Sequence, residues 1–502
     1  MSLDPARTPV VIATGQSVDR SRESGPIELA EQACRAALDT VPGLGACIER
    51  VSVVNILARR AGPAPASDLA KRLGLNARVT ESTVIGGNMP QALVTRAAAD
   101  IAAGSLSATL VAGAEAVRGT RLKPQGTVDG RPAPEDEPDP DPVFGLERQD
   151  LSDEERAAGL LIPVFVYPLF ESVLASRAGR SNEEQRAHIG RFLAPLSAVA
   201  ASNPHAWFRE ALSPEAIAVA SASNRLVAEP YTKRMAAYLG SAHGSAVAVT
   251  SLETARSLGV ADRAVFVWSG SDADEVWYPL ARPDLGSAPA LGRALSHTLG
   301  SAGVSADDVG LFDLYSCFPS AVQVAAAELG IALDDPRGLT VTGGLPYFGG
   351  PGSSYAGNSI ATMVDRLAGR SGSGSESLGL VTGVGWYLTK HSVGLYGAAP
   401  PPHGFHADAG GIGPAEAPLE IAPSVEEPTV ARVDAGTVIY DRTGSAVSAP
   451  VMVTLADASD RRLAAVALPD ELAAIAESAS TRPLVGRTVR VLPGSPPAYS
   501  ID

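Results

Sequence analysis

The sequence predicts an α/β fold, with helices on both faces of a largely parallel sheet and a small β-rich domain after it. Three observations carry this. Apolar strand-like runs alternate with stretches of helical periodicity from Thr8 onward, as in a sheet covered on both sides. A Gly-rich turn, a helix and an apolar strand occur twice, within 83–117 and again within 343–388, so the body reads as two similar halves. After Tyr396 a Pro- and Gly-rich stretch leads into short strand-like runs.

The elements follow in order. Residues 8–14 read as a buried strand, 28–38 as a helix, 51–57 as a strand and 66–73 as a helix. In the first repeat, Ile85, Gly86, Gly87 and Asn88 form the turn. Ala92, Leu93, Ala97, Ala98, Ile101 and Ala102 recur at helical spacing, and Gly104 ends the helix. Residues 109–112 form the strand. A helix leaving a Gly turn presents free N–H groups and a positive dipole end, a good place for an oxyanion or a nucleophile.

Residues 131–142 (RPAPEDEPDPDP) read as a solvated loop, and helices return over 157–176. Ser181, with Glu184 three residues on, predicts a capping box. The second repeat has helices at 291–303 and 321–329, a strand at 309–315, a Gly-rich turn at 343–357, a helix at 359–367 and a strand at 378–388. Residues 437–441, 451–456, 463–467 and 488–491 read as short strands, with a helix at 471–477; this spacing suggests a small barrel.

Bulk properties narrow the function. A net charge of −15 argues against nucleic acid as the main partner. Cys34, Cys47 and Cys317 make no metal spacing and no disulfide framework, so no metal is expected and a reducing cytoplasm is the simplest location. The N-terminus lacks a basic region followed by an apolar run. No apolar run is long enough to span a bilayer.

The stretch AGSLSATLVAGAEAV after the first Gly turn resembles the thiolase superfamily, as do FDLYSCFPSA (312–321), GGLPYFGGPGSSYAGN (343–358) and LVTGVGWYLTKH (380–391). SAVAASNPHAWF and NRLVAEPYTKRM are similar to the lid-like insertion of the sterol-carrier-type thiolases. GTVIYDRTGSAVSAPVMVTLAD resembles the OB-like domain appended to some thiolase-like proteins. The resemblance implies a five-layered α/β/α/β/α body. Residues 1–260 would be the first half, with a helical insertion over 118–243, and 261–396 the second. A linker (397–431) and an OB-like domain (432–502) would follow, the latter docking on the body or on a protein partner.

Thiolase chemistry needs a thiolate, a His to activate it, an acid–base residue and oxyanion holes. By resemblance the nucleophile position is Gly86, or Gly87 if the turn shifts by one. A glycine here also suits a positive-φ turn before a helix. Asn88 and Met89 follow it. Tyr315 takes the Asn/His position, and Cys317 and Phe318 match the family; there that Cys is not the nucleophile. The family's Gly-His-Pro reads Gly349, Gly350, Pro351. Val381 or Thr382 replaces the acid–base Cys, and His391 reads as structural. The amides of Gly86 and Gly383 remain for an oxyanion hole. Tyr315 and Asn358 are the catalytic candidates, and Tyr231, Lys233 and Met235 the cleft candidates.

The resemblance therefore implies a CoA- or acyl-CoA-binding protein of the acyltransferase class, monomeric or homodimeric, without cysteine-based thiolase activity. Two alternatives stay open: an active acyltransferase or lyase using non-cysteine residues, and a non-enzymatic scaffold or partner subunit in lipid metabolism.

Overall fold

The computed structural model describes residues 3–58, 61–117, 139–370, 374–456 and 461–501. Most of the acidic 131–142 stretch, and the start of the insertion, lie outside them.

Two half-sheets repeat one plan. In the first, strands run in the order Arg50–Val53, Ala108–Ala116, Ala242–Ser251, Pro9–Val18. In the second the order is Leu311–Asp313, Leu378–Gly385, Lys390–Gly397, Val265–Asp274. Each begins with a parallel pair and continues with two antiparallel ones. The sheet is thus mixed where alternation alone predicted a parallel one. The two half-sheets join where Val10 and Val11 meet Phe266 and Val265.

The five layers follow from what each helix touches. Pro26–Asp39 lies on the outer face of the first half-sheet, and Pro289–Ser301 on that of the second. Met89–Ala103 and Tyr355–Leu367 touch each other and strands of both halves. Lying between two sheets, they are buried nearly all round. Met89–Ala103 buries Met89, Leu93, Val94, Ala97 and Ile101, and its small residues let both sheets approach. Gly104, at φ +74°, ends it, because the left-handed conformation costs glycine no Cβ clash.

The insertion is mostly helical, with Pro163–Arg177 and Asn182–Ser202 as its long elements. Ser181 and Glu184 form the expected capping box. The fully buried Glu171 carboxylate accepts bonds from Tyr231 Oη (2.6 Å), Gln185 Nε2 (2.5 Å) and Gln323 Nε2 (2.7 Å). This ties the insertion to the helix Pro319–Leu329. Trp207 and Phe208 donate backbone bonds to Phe348 and Tyr347, so the insertion covers the second Gly-rich turn.

Five strands close the C-terminal barrel in the order Thr429–Gly436, Pro450–Leu455, Arg462–Ala467, Ala498–Ile501, Thr488–Leu492. The fifth strand in sequence lies beside the third, and the helix Pro469–Ala479 connects the third to the fourth, an OB-like arrangement. Ile439–Tyr440, read as a strand of the barrel, instead joins a small sheet with Leu226–Ala228 of the insertion. Within the stretch read as a linker, His406–Ile412 adds a strand beside Val265–Asp274. No helix among the described residues is long and apolar enough to cross a membrane.

Candidate functional site

The first Gly turn is packed shut against the second half. Gly86 and Gly87 are not among the positive-φ glycines, so the expected backbone reason for them does not apply. Space is the reason. A Cβ on Gly87 would collide with the Tyr315 hydroxyl and lie 2.5 Å from the Val384 carbonyl oxygen. On Gly86 it would fall 2.5 Å from Asn88 Oδ1 and 2.9 Å from Lys390 Nζ. Gly383 faces the same backbone, and a Cβ there would lie 2.8 Å from Asn88 Cα. The Gly86 N–H, offered to an oxyanion hole, donates to Ser353 Oγ at 3.2 Å.

Around the turn lies a buried polar group. Lys390 Nζ donates to the Ile85 carbonyl at 2.5 Å. The residue is 7% exposed. Burial pulls its ammonium down to about 8, against the pull of Asp274. Asn88 Nδ2 donates to Ser392 Oγ (3.3 Å), which donates to Asp272 Oδ1 (2.5 Å). Burial pushes the Asp272 carboxyl up to about 6. Asn88 Oδ1 is buried without a hydrogen-bond partner.

Tyr315 stands at the junction of the two repeats. Its N–H donates to Thr382 Oγ1 at 2.8 Å, and its ring meets Tyr355 edge-on at 5.5 Å. Phe348 continues the aromatic chain from Tyr355, and His243 stacks on Phe348 at 4.9 Å. The His243 ring also fills the space over Gly349, whose Cβ would come 2.7 Å from Cε1. A Cβ on Gly350 would make one tight contact, 3.3 Å from Ala237 Cβ, which is less severe than at Gly349.

The other predicted residues divide by burial. Tyr231 and Met235 have no exposed surface and pack in the core, and Lys233 is exposed. The cleft expected from these three is a packed wall with one surface cation. Phe318 lies between the rings of Tyr167 (4.4 Å) and Tyr231 (5.8 Å). Cys317 is buried beside Tyr167, and burial pushes its thiol up to about 12. Met89 is core. Asn358 is fully buried on its helix, and neither of its amide atoms has a hydrogen-bond partner. The structure thus brings Gly86, Gly87, Asn88, Tyr315 and Gly383 together and places Tyr231, Met235, Cys317 and Phe318 in the packing below the insertion.

A monomeric SCP2-thiolase-like protein type 1 from Mycobacterium smegmatis superposes over the full length of both chains, with a TM-score of 0.83 and 28% identity. The chain has a thiolase-like fold. The Ltp2–ChsH2(DUF35) aldolase (TM-score 0.60, 19% identity) covers 78% of this thiolase-like chain and 98% of its own. The dimeric peroxisomal thiolase of Saccharomyces cerevisiae (0.57, 14%) covers 79% and 98%. These two share the fold. No protein-family model matches the chain, and no curated protein does.

Side chains from elsewhere in the chain fill the space over two of the predicted site glycines. Lys390 comes to Gly86 and His243 to Gly349. Neither was among the sequence candidates. Lys390 did leave a signal: it is a lysine, one of only four in the chain, inside the otherwise apolar and small run 378–397. His243 sits at the start of a fully buried strand and left none.

Asp313, next to Tyr315, is the best satisfied charge nearby. It accepts bonds from Thr340 Oγ1, the N–H groups of Val341 and Thr342, and Ser359 Oγ. Its role is to pin the 340–342 segment to the second central helix.

Proposed function

We propose that this thiolase-like protein binds CoA or acyl-CoA in the cytoplasm without carrying the acyl group on a cysteine. One reading supports this most: by resemblance the nucleophile position falls on Gly86, or on Gly87 if the turn shifts by one, and neither has a side chain to acylate. Cys34 and Cys317 offer no substitute. Cys34 is buried on an outer helix, and its thiol is pushed up by burial. Cys317 is held protonated in the same way, and the thiolate is the reactive form. Gly350 supplies no imidazole to draw a proton from either. The thiolase-like body and its Gly-rich turns support recognition of the CoA thioester.

The test pairs binding with chemistry. CoA titrated calorimetrically into the full-length protein is expected to bind. Intact mass after incubation with acetyl-CoA is expected to show no acetyl adduct. Gly86→Cys is expected to restore no turnover, because groups that act as a unit are not recovered singly. A stable adduct mapping to Cys317 overturns the cysteine-free reading, and absence of CoA binding overturns the ligand.

A further inference from the structure

We propose that Lys390 is a nucleophilic amine that captures an aldehyde or ketone as an imine at the position the family gives to its cysteine. Three geometric observations converge. The amine lies 2.9 Å from where a Gly86 side chain would begin, so it borders the space that a side chain at this position would take. Lys390 is more than nine-tenths buried, yet among the described residues the one hydrogen bond of its amine goes to the neutral Ile85 carbonyl. Asn88 Oδ1, buried and without a partner, lies 2.5 Å from the same Gly86 point, ready to accept from a hydroxyl or N–H formed there. Ile85 and Trp386 beside the amine are only partly buried, and Asp274, whose charge acts on it, is exposed.

The electrostatics agree. The charged groups that act on the amine are Asp274 and Glu147, and burial outweighs both. A desolvated lysine is the usual form of a Schiff-base nucleophile. In the step, the nitrogen lone pair forms a C–N bond to the carbonyl carbon. The carbonyl oxygen leaves as water with both amine hydrogens, and an imine remains. No oxidant or reductant is consumed.

The inference stands apart from CoA binding, and its test uses a probe without CoA. Full-length protein is treated with propionaldehyde and sodium cyanoborohydride near neutral pH, and the labelled lysines are mapped. The chain has only Lys71, Lys123, Lys233 and Lys390, so each is separately counted. Lys390 is expected to label severalfold faster than the exposed Lys71 and Lys233. Slower labelling of Lys390 than of those two overturns the proposal. In Asn88→Asp a carboxylate beside the amine holds it as ammonium, so Lys390 labelling is expected to fall severalfold while Lys71 and Lys233 keep their rates. An unchanged Lys390 rate overturns the proposal. Should that variant not fold, the wild-type map decides alone.

Discussion

Gly87 leaves no room for even one carbon, because the Tyr315 hydroxyl and the Val384 carbonyl already occupy the space. Overpacking of this kind costs about 1–3 kcal/mol. Gly87→Ala is therefore expected to lose that much in urea unfolding. Gly87→Ala in a Tyr315→Leu background should lose less, because both the clashing hydroxyl and the ring carbon 2.6 Å away are gone. Equal losses in the two backgrounds would show that Tyr315 is not the obstacle. His243 makes a pH prediction. Burial holds its imidazole at about 4, below the ordinary value, so between about 6.5 and 4 the unfolded chain binds a proton that the folded one does not. Stability is then lost as pH falls through that window and is flat below it. The buried carboxylates with raised values, Asp272 among them, act in the opposite sense, so the measurement is a difference. Between pH about 7 and about 4.5 the wild type should lose roughly 2–3 kcal/mol more than His243→Gln. Parallel losses would remove His243 as the cause.

At the scale of the element, helix ends hold the insertion in place. The Ser181 hydroxyl accepts from the Glu184 N–H at 3.2 Å, and the Glu184 carboxylate accepts from the Ser181 N–H at 2.8 Å. Ser181→Ala removes the first bond and is expected to cost about 1 kcal/mol. Glu184 is on the surface, so Glu184→Gln, which keeps an acceptor, should cost less. Chemical denaturation of the two variants checks the order, and a larger loss for Glu184→Gln would contradict the reciprocal cap. Gly104 does the same service for the first central helix at its C-terminal end, and that helix positions the Gly86–Asn88 turn.

The whole molecule is held together where the barrel meets the insertion. Arg186 Nη1 pairs with Glu229 Oε2 at 2.6 Å, and Glu229 is 1% exposed at its side chain. Ser480 and Tyr440 donate to the other carboxylate oxygen, and the Thr437 hydroxyl donates to the Glu229 carbonyl at 2.8 Å. Asn182 Nδ2 reaches the Ala479 carbonyl at 2.9 Å. Removing one partner of a buried pair leaves the other charge uncompensated, at about 3–5 kcal/mol. Arg186→Met is expected to lose stability on that scale and to speed limited proteolysis between 413 and 428. Arg186→Met with Glu229→Gln should recover much of it. A double variant as unstable as the single one would place the barrel's attachment elsewhere.

Much of this was legible locally. Gly104 as a helix stop, the Ser181–Glu184 box, the repeated turn–helix–strand unit and three of the five barrel strands follow from rules that act within a few residues, where periodicity and capping chemistry are written directly in the chain. The thiolase-like fold was legible for the same reason, through short motifs. The site was not. Lys390 and Ile85 are 305 positions apart, and no local pattern says that the lysine's amine ends beside Gly86. The glycines of the turn were visible, but their cause was not: close approach of a distant tyrosine and lysine, not a positive φ. Tyr231 and Met235 looked like cleft residues and are core, because burial depends on which helix later packs over them. By itself the sequence determined most of the elements and their order, and it placed glycines in both Gly-rich turns. Only the tertiary structure decided which side chains fill the space over Gly86 and Gly349, because Lys390 and His243 come from the other half of the chain, and packing between halves is set by shape and space rather than by neighbours in sequence.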